Sequence, residues 1–188
     1  MPSGLGNGAS PSIITEFPRL FLYLFRSKRD LAMANEPLAR YQNIKKSMVA
    51  TTLIGIGLMG AVDEIIFHQI LSWHHFYDRA TPVIGLVSDG LLHSAELIFL
   101  ILGSFMLSNL RSQHVFSSRA GWAGLFLGLG AFQLFDGLID HKVLRLHQIR
   151  YGVDNLLTYD VMWNAVGAVL LLVGLVLAAR VRTSSIAL

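Results

Sequence analysis

Four runs of apolar residues, at about 48–73, 88–110, 120–146 and 159–179, leave this chain few folds to choose from. Each is long enough, at about 1.5 Å of helical rise per residue, to cross a hydrocarbon core of about 30 Å. Lipid offers backbone N–H and C=O groups no partner, so a segment that crosses it must bond them internally, as a helix does. The charge supply agrees. Asp, Glu, Lys and Arg make up 14% of the chain, against roughly 25% in a soluble domain, and mean hydropathy is +0.54. The expected fold is an all-α membrane protein, with four transmembrane helices in a domain over residues 47–182.

Residues 1–46 read as a tail of different character. The first twelve are rich in Gly, Ser, Pro and Asn, a loop composition. Ile13, Ile14, Phe17, Leu20, Phe21, Leu24 and Phe25 then recur at helical spacing in a run too short to span, and Arg26, Lys28 and Arg29 follow at once. That pattern predicts an interfacial amphipathic helix on an anionic leaflet. Eleven of the fifteen Lys and Arg residues fall in the N-terminal region, the middle loop and the C-terminal end, while Arg79, Lys142, Arg145 and Arg150 fall on the opposite side. The positive-inside rule then predicts a bacterial inner-membrane protein with both termini in the cytoplasm. Basic residues that flank apolar segments also account for the pI near 9.4, so nucleic acid is not an expected partner. There is no cysteine, which excludes disulfides, thiolate nucleophiles and sulfur-ligated clusters.

The ionisable residues inside the apolar runs are patterned. Residues 63–75 read D-E-I-I-F-H-Q-I-L-S-W-H-H and residues 136–147 read D-G-L-I-D-H-K-V-L-R-L-H. In both, a carboxylate precedes the first His by five residues and the next His follows after six. Asp63 thus pairs with Asp136, His68 with His141 and His74 with His147. In the second and fourth runs, Asp89-x-x-x-His93 pairs with Asp160-x-x-x-Asn164. The chain reads as two helix-pair repeats, 48–110 and 120–179, parallel and related by an axis along the membrane normal. At about 100° per residue, Glu64, His68, Leu71 and His75 share one stripe of helix one, and Asp63, Phe67 and His74 the next. Helix two presents Asp89, His93 and Glu96 on one face. Helix three presents Asp136, Asp140 and His147, with His141 on the neighbouring stripe.

Ionisable groups inside a bilayer cost several kcal/mol each unless they are paired, ligated or open to water. A lone His or Asp is explained by an interhelical hydrogen bond. Here many such groups converge at one depth with few cationic partners, so mutual repulsion calls for a metal ion. The candidate ligands are His68, His93, His141, His147, His74, His75, Asp63, Asp89, Asp136, Asp140 and Glu64. His68, His93 and His141 are the expected innermost donors, with His74, His75 and His147 closer to water. Imidazole with carboxylate suits zinc, iron, manganese or oxidised copper, and the lack of Cys disfavours cuprous copper. Donors from four helices follow the logic of di-iron bundles, although His93-x-x-Glu96 reverses the usual order. One ion or two is left open, and a proton-carrying or structural network is the alternative. Gly55-x-Gly57-x-x-Gly60 matches a dinucleotide fingerprint as text, but it lies inside a membrane run and reads as close helix packing.

The same residues carry a resemblance. Asp63-E-I-I-F-His68-Gln69-I-Leu71-S-Trp73-His74-His75, Asp89-Gly90-L-L-His93 and Asp136-Gly137-L-I-Asp140-His141-K-V-Leu144-R-L-His147 cover about residues 54–163. In them the chain resembles a bacterial family of predicted four-helix membrane proteins, the domain-of-unknown-function family numbered two thousand two hundred and forty-three. That family's pattern has Gly where Glu64 stands and no fixed acid at Glu96. The resemblance implies a link to respiratory copper or haem assembly. Two functions are expected from the residues: a metal-dependent enzyme that uses an open coordination position, or a metal-handling or assembly factor, including an accessory subunit of a respiratory or other membrane complex. A purely structural membrane protein is the third reading. The expected partners are the lipid bilayer and the subunits of such a complex. A closed donor set favours the handling role and a cavity leading to an open position favours the enzyme.

Overall fold

The four apolar runs are helices, and two of them end in a way the sequence does not announce. The computed structural model describes residues 28–186, so the amphipathic helix expected over 13–25 lies outside the described residues. The chain divides into two compact units, Met1–Arg40 and Tyr41–Leu188. Of the first, the described part is the opening of a helix, exposed from Asn35 to Arg40. The second holds the site. Helix α1 runs over Lys28–Asp63, α2 over Pro82–Ser112, α3 over Ser118–Leu134 and α4 over Leu156–Ile186, with no strand among the described residues. Among the described residues four stretches are long and apolar enough to cross a membrane: Asn35–Ile70, Pro82–Ser112, Ser118–Val143 and Leu156–Thr183.

Local sequence explains the starts. Thr81 caps α2 by accepting from Ile84 N, and Pro82 at the first position sacrifices no hydrogen bond because that N–H is unpaired anyway. Ser117 caps α3 by accepting from Ala120 N. Packing then follows the glycines. Gly55 on α1 faces Gly128 on α3 so closely that a Cβ on Gly128 would lie 2.9 Å from Gly55 Cα and 2.8 Å from Ile56 N. Gly57 makes the same close approach to Leu100 on α2, and Gly130 to Leu171 on α4. Small residues that let backbones touch are how helices associate where lipid removes the hydrophobic drive. The membrane windows of α1 and α3 are each 39% buried, against 11% for α2 and 17% for α4. The central pair is therefore α1 and α3, with α2 and α4 presenting most of their apolar side chains outward.

Helices one and three were expected to run to about 73 and 146, with straight stripes to their ends. Instead each widens into a π-helical segment, Glu64–Ile70 and Phe135–Val143, and stops. Leu71 N bonds Ile66 O at 2.9 Å and Leu144 N bonds Ile139 O at 2.7 Å, one residue wider than an α turn. The next residues but one close the ends: Trp73 N reaches Phe67 O and Leu146 N reaches Asp140 O, each at 2.9 Å. Between them Ser72 (φ 49°) and Arg145 (φ 52°) adopt the left-handed conformation, which costs an ordinary L-residue roughly 1–2 kcal/mol. The reversal takes His74, His75 and His147 off the helices. Leu71, placed by spacing on the His68 stripe, is exposed.

Candidate metal centre

A π turn at a helix end re-aims side chains, and such turns concentrate at functional sites. Here they bury Asp63, Glu64 and His68 on one side and Asp136, Asp140 and His141 on the other. The chain reversals then fold His74 and His147 over the two ends. His74 Nδ1 lies 2.8 Å from Ile149 O, and His147 Nδ1 lies 2.8 Å from Phe76 O. A carbonyl can only accept, so in both rings Nδ1–H donates, and in the neutral form of such a ring Nε2 is the lone pair. The two rings stack with centroids 4.5 Å apart and planes within 7°. His68 meets His74 edge-on at 4.4 Å, and His141 meets His147 edge-on at 4.6 Å.

The remaining contacts aim more donors at the same place. His68 Nδ1 lies 3.2 Å from Asp89 Oδ1 and 2.8 Å from Glu64 Oε2, while its Nε2 faces Asp63 Oδ2 at 3.7 Å. His141 Nε2 is 2.9 Å from His147 Nε2 and 3.2 Å from Asp136 Oδ2, and Asp136 Oδ1 lies 3.4 Å from His147 Nε2. Among the described residues three groups have donor atoms within 4.8 Å of one another: His68, His74 and His147; Asp136, His141 and His147; and Glu64, His68 and Asp89. Asp63 Oδ1, His68 Nε2, His74 Nε2, Asp136 Oδ2 and His141 Nδ1 are buried without a hydrogen-bond partner. Each unsatisfied buried polar atom costs about 1–3 kcal/mol, so one cluster of them is an expensive arrangement for a protein with nothing to bind. Lone pairs of imidazole and carboxylate converging in a buried cluster fit a transition-metal cation, and the carbonyl and carboxylate bonds at the far ring nitrogens are the supports such ligands use. His74 lies outside the membrane-spanning stretches. Burial first, and then the rings of His147, His68 and His141, push its imidazole down to about 2, so it is a neutral donor at any ordinary pH.

The other expected ligands stand further out. Asp89 accepts from His75 Nδ1 (2.6 Å) and Phe76 N (2.7 Å) as well as from His68, so it orients rings around it. His75 is half-exposed and held by that carboxylate. His93 is not among the converging donors: its Nδ1 pairs with Glu96 Oε2 at 3.0 Å, and 45% of its side chain is exposed. Asp140 is buried on the second π segment beside Asp136. Sequence reasoning missed the carbonyls of Phe76 and Ile149 and the ion pair of Lys142 with Asp160. The backbone bonds left no signal in residue type. Lys142 did leave one, because it stands 73 residues after Gln69, at the spacing that pairs His68 with His141.

The model of a family described as predicted membrane protein (DUF2243) matches residues 50–181. No curated protein and no solved structure matches the chain.

Proposed function

The chain belongs to that family of predicted membrane proteins, and from that premise we propose that it is an integral membrane metal-binding protein holding one transition-metal ion between its two halves. His68, His74, His141 and His147 are the nitrogen donors, and Asp63 and Asp136 the oxygen donors. The observation that supports this most directly is the pair of rings His74 and His147. Each is fixed by a backbone carbonyl from the opposite half with an unprotonated Nε2 facing the cluster. A neutral imidazole nitrogen has one lone pair and ligates one ion. His147 Nε2 belongs to both His-containing groups of the inner cluster, so those groups meet at a single ion. Copper, iron and zinc all suit the donor set. Bound there, the ion would supply Lewis acidity or one-electron chemistry.

The proposed donors are side chains of the chain, and they are buried: His147 is 1% exposed, Asp63 1% and His68 3%. A deeply buried donor set suits a metal-handling, assembly or accessory-subunit role more than a hydrolytic enzyme, which keeps a position open to water. The halves are parallel repeats in this reading. Contacts come in reciprocal pairs at the 73-residue spacing: His74 with Ile149 O against His147 with Phe76 O, and Gly55 with Gly128 at the helix crossing. A two-fold axis between the stacked rings and between those glycines would run along α1 and α3. The centre lies on the periplasmic side of a bacterial inner membrane if the Lys and Arg asymmetry sets topology. The test is the metal content of detergent-purified protein by mass spectrometry. One equivalent of copper, iron or zinc per chain is expected, lost in the His68→Ala, His141→Ala double variant and kept in His114→Ala. Equal content in the wild type and the double variant would overturn the proposal.

A further inference from the structure

Helices α3 and α4 cross closely and then leave a cleft nearer the end where α3 begins and α4 stops. A Cβ on Gly174 would lie 2.6 Å from Leu127 N, so the two backbones touch at that crossing. Toward the helix ends a cleft of about 850 Å³ opens, lined by Arg119, Trp122 and Phe126 of α3 and Val176, Leu177 and Arg180 of α4 among others. Residues three and four apart share a helix face, so one face of each helix walls the cleft. Both faces run in the same order. Aromatic and aliphatic residues stand nearer the crossing, and Arg119 and Arg180 stand nearer the ends. Trp122 is 59% exposed, so part of the wall is open to a ligand.

Lipid tails fill any apolar groove in a bilayer, so the groove alone selects nothing. Charge makes this one selective. Among the described residues no Asp or Glu lines it. Residues 97–135 and 161–188 hold four arginines, Arg111, Arg119, Arg180 and Arg182, and no Asp or Glu at all. The other half gives a comparison. At the spacing of 73 residues that relates α1 to α3, and of 71 that relates Asp89 to Asp160, the crossing of Gly174 with Leu127 corresponds to Gly103 with Ile54. A Cβ on Gly103 would lie 3.0 Å from Ile54 N, so the two crossings are alike. Beyond them the halves differ. Lys46 matches Arg119, but Trp122 stands where the first half has Val49, and Arg180 where it has Asn109, whose Oδ1 accepts from Gln113 Nε2 at 2.9 Å. The second half therefore has two cations and an indole where the first has one cation and a valine.

We propose that this cleft binds one anionic phospholipid, with the head-group phosphate at Arg119 and Arg180 and an acyl chain along Trp122, Phe126, Val176 and Leu177. A guanidinium matches phosphate bidentately, and its stem can lie on the apolar wall while the charge reaches the interface. An indole belongs at that same depth. Basic pockets between membrane helices recognise anionic head groups in this way. Arg119 stands in the first turn of α3, where the positive end of the helix dipole adds to the attraction. A zwitterionic lipid offers the same phosphate but brings its own cation, which two arginines repel. The cleft lies at the opposite end of α3 from the second π segment, so the inference does not rest on the metal reading and uses the repeat pairing only for comparison.

The test is native mass spectrometry of the full chain, delipidated in detergent and titrated with phosphatidylglycerol or with phosphatidylcholine of the same acyl chains. The wild type should retain one phosphatidylglycerol per chain in clear preference to phosphatidylcholine. A basic residue at head-group level is worth about fivefold in affinity, so Arg119→Gln should weaken phosphatidylglycerol binding about fivefold and the Arg119→Gln, Arg180→Gln pair about 25-fold. The Arg111→Gln, Arg182→Gln pair removes the same charge from positions that do not line the cleft, and it should bind as the wild type does. Circular dichroism checks that each variant keeps its helices. Arg119→Gln, at an exposed position, carries the test by itself if the pair with Arg180 does not fold. Equal retention of the two lipids by the wild type overturns the proposal, as does wild-type binding in Arg119→Gln. So does an equal loss in the two double variants, which would reflect a diffuse field, or a dimer that forms without lipid and excludes it.

Discussion

Replacing His74 by Ala removes one of the two rings at the junction of the halves, and its consequences separate into two measurable parts. Ile149 O loses its donor, and an unsatisfied buried carbonyl costs about 1–3 kcal/mol. The metal-free protein feels this part, together with the cavity left by the ring. The second part is the lost nitrogen. Hydrogen bonds that merely orient a metal ligand are worth 10–100-fold in affinity. Loss of the ligand itself should reach at least the upper end, 100-fold, which is about 2.8 kcal/mol at 1.4 per decade. His147→Ala deprives Phe76 O of its donor and removes the same kind of nitrogen, so the two losses should match. The rings stack at 4.5 Å, far inside the roughly 7–10 Å beyond which effects add. If both hold one ion, the double variant binds no more than about tenfold worse than either single. Cobalt(II) titration against a competing chelator, followed by visible absorption in detergent, gives the affinities, and denaturant unfolding of the metal-free variants gives the structural part. Singles that bind cobalt as the wild type does, or losses that sum in the double variant, would refute a shared ion.

Acid should weaken the metal-free fold through His74. Its folded form stays neutral to about 2, so below the unfolded value of about 6.5 the unfolded chain takes up a proton the fold does not, and stability falls by up to about 1.4 kcal/mol per unit of acidification. His74→Gln should flatten the pH dependence of unfolding by that one proton, and an unchanged slope counts against the buried neutral ring. Gly128→Ala puts a Cβ 2.8 Å from Ile56 N and 2.9 Å from Gly55 Cα, so unfolding in detergent should show a loss of about 1–3 kcal/mol from overpacking; a neutral result would mean the helices do not cross there. Reporter fusions at Val83 and Val153 should read periplasmic and those at Ser112 and Ser184 cytoplasmic, and a cytoplasmic signal at Val83 would invert the topology.

The sequence by itself determined the parts that follow from solvent and periodicity. Four long apolar runs become four helices because lipid leaves the backbone no other partner. The glycines at 55 and 57 predict close helix packing for the same reason that the structure uses them, the lack of a side chain at the crossing. The repeated Asp-His-His spacing identified which residues belong together, and His68, His74, Asp136, His141 and His147 do meet. Their arrangement was decided by tertiary structure. A stripe drawn at about 100° per residue assumes an unbroken α-helix, and the π segments and left-handed Ser72 and Arg145 break that assumption with residues that carry no turn signal, where Gly or Asn would have. The reversal moved His74 and His147 from the expected rim into the centre, where carbonyls of the opposite half fix their protons. His93 shares a helix face with Asp89 by spacing, yet Glu96 holds it at the surface. Which ring turns inward depends on partners as much as 75 residues away in the chain, and no local pattern records them.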